Sequence, residues 1–73
     1  MKHEQSLRMI AGANLKRLIN EAGLTQEKAA QKLHFSEGSS IRRLYREGIS
    51  NVDEIGRIAK VFGVTVNDML TID

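Results

Sequence analysis

The chain has 73 residues with eleven basic and nine acidic side chains, a formal net charge of +2, and neither cysteine nor proline. This length holds one domain, expected over residues 1–73, and its core is small enough that each apolar position matters. The lack of cysteine excludes a disulfide framework and a thiolate metal site. No run of about 18 apolar residues exists to span a membrane, and the polar start MKHEQSLRMI lacks a signal-peptide core, so a cytoplasmic location is expected.

Leu7, Ile10, Ala11, Asn14, Leu15, Leu18, Ile19 and Ala22 recur at three- and four-residue spacing, which predicts a first helix from about Gln5 to Ala22. Gly23 is placed to end it, and Lys16 and Arg17 lie off the apolar face. Thr25 is a good N-cap for a second helix to about Leu33, with Glu27 suited to its positive end and Ala29, Ala30 and Leu33 on the buried edge. His34 to Gly38, HFSEG, reads as a tight turn anchored by Phe35, with Ser36, Gly38 and Ser39 as possible caps for the next helix.

The third helix, about Ser39 to Arg46, places Ile41, Leu44 and Tyr45 inside and Arg42, Arg43 and Arg46 outside. Gly48 ends it and Ile49 pins the following loop. Ser50 with Asp53, or Asn51 with Glu54, has the capping-box pattern ahead of a fourth helix to Phe62. The apolar face of that helix is expected to hold Val52, Ile55, Ile58, Ala59 and Phe62. Gly63 closes it, and Thr65 with Asp68 caps a last helical turn that contains Val66, Met69 and Leu70. Val61 to Val66 is rich in β-formers, but Gly63 interrupts it and no partner run exists, so no strand is expected.

Two short helices joined by a tight turn, the second one arginine-rich on its outside, form the pattern of the DNA-reading helix-turn-helix, whose second helix enters the major groove. Solvated helix charge is the bland alternative for Arg42, Arg43 and Arg46; the motif context favours contact, because bidentate arginine to guanine is the commonest specific base contact. Phe35, Tyr45 and Phe62 are the only aromatic residues, all at expected core positions, which argues against a single-strand or RNA reader that stacks bases on exposed rings. His3 and His34 suggest no metal site, no cofactor is implied, and no nucleophile–base–orienter set is visible, so enzyme activity is not expected.

On LTQEKAAQKL at the second helix and IGRIAKVFGVTVNDML near the end, the chain resembles the lambda-repressor-like helix-turn-helix family of phage repressors and Cro-type (XRE) regulators, over about Leu15 to Leu70. The resemblance implies an all-α, five-helix DNA-binding domain with the helix-turn-helix at helices 2 and 3. It implies a phosphate grip at Gln26, a small residue at the helix crossing at Ala30 and a buried aliphatic at Ile41. Base-edge contacts are implied at Ser39 and Arg43, and a backbone contact at Arg46. Three features depart from the family pattern. The turn is one residue longer, so that Arg42 replaces Arg43 as base reader in the alternative register. His34 stands at the turn glycine, where histidine tolerates the left-handed conformation better than most residues. Ile19 and Tyr45 occupy the positions of an Arg–Glu pair, and an apolar contact between them is expected instead.

The expectation is a sequence-specific regulator of double-stranded operator DNA, a repressor of phage or bacterial origin. Thr25, Gln26, Ser36, Ser39, Ser40, Arg42, Arg43 and Arg46 form the contact set, with Lys16, Arg17 and Lys28 toward phosphates. Ser39 and Ser40 are equally placed to act as caps, and Thr25 is first a cap and second a phosphate contact. A weak or DNA-assembled homodimer is expected through Met69, Thr71 and Ile72; Leu70 is assigned to the core, while Met69 and Ile72 stay open between core and dimer patch. No membrane or small-molecule partner is expected. The other reading is a protein-interaction module, such as a toxin-neutralising partner on the same fold.

Overall fold

The computed structural model describes residues 6–35 and 38–72. Among them are five helices and no strand: α1 (Leu7–Glu21), α2 (Gln26–Lys32), α3 (Ser39–Glu47), α4 (Val52–Phe62) and α5 (Val66–Met69). The starts of α2, α4 and α5 are set by side-chain caps. The Thr25 hydroxyl accepts from the Lys28 amide at 3.1 Å and starts α2. The Asn51 side-chain oxygen Oδ1 accepts from the amides of Asp53 at 2.8 Å and Glu54 at 3.2 Å and starts α4. Of the two caps expected there, Asn51 is the one used. Thr65 and Asp68 form the full reciprocal capping box of α5, with both bonds at 3.0 Å.

The core is a single apolar cluster built by Leu15 and Ile19 of α1, the alanines of α2, Leu33, Ile41, Ile49, and Ile55 and Ile58 of α4. Met69 is fully buried and belongs to this core, so its part in a dimer patch is corrected; Ile72 is 66% exposed. Leu70 is half-buried and packs on the cluster. Three residues assigned to buried stripes face water instead: Leu7, Val52 and Ala22. All three lie at helix ends, where the periodic stripe continues but no second element among the described residues reaches over it. Val66 of α5 is also exposed.

α1 crosses α3 at very short range, and Gly12 is the reason. A Cβ on Gly12 would lie 2.7 Å from the Leu44 carbonyl oxygen and 3.3 Å from the Gly48 Cα, so no larger residue fits without moving backbone. One turn earlier the Arg8 carbonyl oxygen accepts from the Ile49 amide at 2.9 Å. Beside it Gly48 has a φ of 85°, and a Cβ there would sit 2.6 Å from the same oxygen. The C-terminal end of α3 is thus locked to α1 through backbone contacts.

A different stripe of α1 holds the C-terminal segment. Asn14, buried on an otherwise apolar face, donates to the carbonyl oxygens of Met69 at 2.7 Å and Thr71 at 3.0 Å. Its own side-chain oxygen accepts from Arg17 at 3.1 Å. A buried amide is tolerable only when bonded in this way.

Candidate nucleic-acid interface

α2 and α3 form the helix-turn-helix, and the turn between them depends on an unusual residue. His34 has a φ of 62°, in the left-handed region. The Phe35 amide then bonds back to the Ala30 carbonyl oxygen at 2.8 Å. This closes α2 in the manner of a glycine C-terminus, with histidine bearing the conformational cost.

Arg57 of α4 clasps the turn from outside. Its guanidinium donates to the Leu33 carbonyl oxygen at the end of α2, pairs with Glu54, and lies over the Phe35 ring at 5.3 Å from the centroid. A cation at a helix C-terminus is favourable, and the stacked ring fixes its plane. Sequence reasoning missed Arg57 as a positioning residue. The signal it carried was the Glu54/Arg57 spacing of i, i+3.

With its inner edge fastened, α3 presents its outer edge to water. Ile41 is fully buried; Leu44 and Tyr45 are half-buried against the core that includes Ile19. Burial pushes the Tyr45 phenol above its ordinary value. The Lys16 ammonium lies over the Tyr45 ring, 5.7 Å from the centroid, which carries a positive charge from α1 to the flank of α3. Arg42, Arg43 and Arg46 are all exposed. Arg46 pairs with Glu47 at 3.1 Å, both largely exposed, and such a pair yields readily to a stronger anion.

Other expected contact residues lie at the start of α2 and in the first turn of α3. Thr25 and Lys28 are exposed and Gln26 is half-buried at the N-terminus of α2. Ser39 is exposed at the first turn of α3, and Ser40 is half-buried beside Arg43. Ser40 and Arg43 line a groove of about 280 Å³ that Ser50, Asn51 and Glu54 also line. Gly38 begins α3 without a side-chain cap, and the Glu27 carboxylate crowds it: a Cβ there would meet Glu27 Oε2 at 2.8 Å. Glu27 therefore places a negative charge by the positive end of α3. Ser36 lies outside the described residues.

Arg17 is not brought to this surface. It bonds Asn14 and pairs with Glu21 at 3.3 Å, and its charge helps lower the Asp68 carboxyl, on the α5 side of α1. Lys16 and Arg17 are adjacent in sequence but point to different elements, as neighbours 100° apart on a helix must.

The described residues thus form an all-helical domain with a helix-turn-helix whose second helix is exposed along its basic edge. In structure the chain is similar to a protein from Neisseria described as the hypothetical transcription factor NHTF, with a TM-score of 0.78 and 21% sequence identity over 97% of this chain and 82% of that one. At that identity the likeness is one of fold. No protein-family model matches the chain, and no curated protein sequence does.

Proposed function

We propose that the protein is a sequence-specific double-stranded DNA-binding regulator of lambda-repressor-like type that represses by occupying an operator. The observation that carries this reading is the exposed arginine edge of α3, Arg42, Arg43 and Arg46, on a helix whose opposite edge is fixed by Ile41, Gly12 and Gly48. A rigid helix with extended cationic side chains is what major-groove reading needs: the guanidinium forks find guanine edges, and the scaffold sets their register. Thr25, Gln26 and Lys28 at the start of α2, with Lys16 on the flank, address phosphates on either side. Arg43, next to Ser40 at the groove rim, is the base reader; Arg42 takes that role in the alternative register. Ser39 reaches a base edge or phosphate from the first turn, and Arg46 a phosphate. Arg17 acts with the C-terminal segment and not with DNA.

One such helix reads only a few base pairs, too few to select a site among roughly 10⁶–10⁹ competitors. Two copies on half-sites about one helical turn apart meet that need. Selection from random duplexes followed by sequencing tests the reading and is expected to return a two-fold symmetric site. Affinity for it should fall steeply with salt, because phosphate contact releases counterions. Enrichment of no sequence, with no salt-sensitive duplex binding, refutes the reading.

A further inference from the structure

Among the described residues the outer face of α4 is largely exposed, and its charges match themselves. Ile55, Ile58 and Ala59 form the buried edge of the helix. On the solvent side Asp53, Gly56 and Lys60 share one face, at spacings of three, four and seven residues, and Val52 stands one turn before Gly56 at the edge of that face. Val52 is 69% exposed, and Asp53 and Lys60 are exposed with no ion pair among the described residues. A Cβ built on Gly56 would meet only Val66 Cγ2, at 3.9 Å, so the helix surface is low and open at that point.

We infer that a second copy of this chain docks here, as an antiparallel pair of α4 helices about a two-fold axis between Gly56 and Arg57. Asp53 and Lys60 lie equally far to either side of that axis and ~10.5 Å apart along the helix. The axis sets Asp53 of each copy beside Lys60 of the other, while Gly56 lets the backbones approach and Val52 and Val66 supply apolar area. A parallel pair sets like against like at both ends and is repelled. The contact is one helix face, well under the roughly 1,200 Å² of stable complexes, so the pair is weak in solution and completed on DNA. This rests on the reading that two copies share one operator. It moves their contact from the C-terminal segment, where Met69 is buried, to α4.

The test is sedimentation of the full chain without DNA over rising concentration, for the parent, Asp53→Lys, Lys60→Asp and an equimolar mixture of the two variants. Each variant alone carries like charges at both rim positions and is expected to associate about tenfold more weakly than the parent. The mixture restores both opposite pairs as a heterodimer and should associate as the parent does. Because that rescue requires two folded partners, misfolding cannot imitate it. If either variant fails to fold by circular dichroism, Gly56→Arg replaces it: lost association supports the α4 contact, and unchanged association overturns it. A mixture no tighter than its components, or a parent chain monomeric to about 1 mM, overturns the inference. Rescue in the mixture without any duplex binding leaves the α4 contact standing and removes the operator reading. Cooperative operator binding that is unchanged in each variant alone does the reverse.

Discussion

Gly12 and Gly56 are both helical glycines, and alanine is expected to act with opposite sign at the two. In Gly12→Ala the added methyl lands 2.7 Å from the Leu44 carbonyl oxygen and 3.3 Å from the Gly48 Cα. Both neighbours are backbone, so relief requires α1 and α3 to separate by roughly 0.8 Å, toward the ~3.5 Å at which contact becomes favourable. Overpacking of this kind costs about 1–3 kcal/mol, and the better helix propensity of alanine returns about 1 kcal/mol. The net loss is then about 1 kcal/mol, which lowers Tm by roughly 4–8 °C in a domain of this size. In Gly56→Ala the methyl meets only Val66 Cγ2 at 3.9 Å, an ordinary contact. Propensity alone operates there, and the variant should gain about 0.5–1 kcal/mol. Urea denaturation of both variants beside the parent, at a concentration low enough to keep the chain monomeric, measures the difference. Gly12→Ala as stable as Gly56→Ala would show that the α1–α3 crossing is wider than 2.7 Å at that point and that glycine is not what fixes α3.

On its selected site, Arg43→Ala should cost about 1–3 kcal/mol and relax preference at one base pair. Equal weakening on selected and random duplex makes Arg43 a phosphate contact, and a specific effect at Arg42 instead shows the shifted register. Arg57→Met, which keeps the aliphatic stem but removes the bonds to Leu33 and Glu54, should lose about 1–3 kcal/mol in thermal unfolding and leave the Ile41 side of the core intact; an unchanged melt would show that the turn holds itself. The Asp68 carboxyl is held below its ordinary range, first by the Thr65 amide and hydroxyl and then by Arg17. A carboxylate with a depressed folded pKa contributes stability above its unfolded value, and loses it as pH falls through the folded one. Hydrogen exchange at the start of α5 should therefore be protected above the ordinary carboxylate range near 3.8 and should open as pH falls below it. Asp68→Asn should abolish that dependence; an identical acid profile in the variant would assign it to another group.

Helix ends were legible in the amino-acid order because their chemistry is local. Thr25, Asn51 and the Thr65/Asp68 box each satisfy amides within three residues, and Gly23, Gly48 and Gly63 adopt positive φ where each helix stops. His34 was legible for the same reason, as a residue placed where the turn needs the left-handed region. The inward and outward sides of α3 followed from periodicity, since a helix with Ile41 on one edge must set Arg42 and Arg43 on another. Coverage of those faces was decided only by tertiary packing. Val52 and Leu7 continue apolar stripes that no other element among the described residues covers, whereas Met69 is sealed where α5 meets α1 and α4. The closeness of α1 to α3 at Gly12, the Asn14 bonds to Met69 and Thr71, and the Arg57 clasp on Leu33 all join residues far apart in the chain. Spacing along a sequence fixes which side chains share a face. Which face another helix reaches depends on the path of the whole backbone, and the folded structure alone determines it.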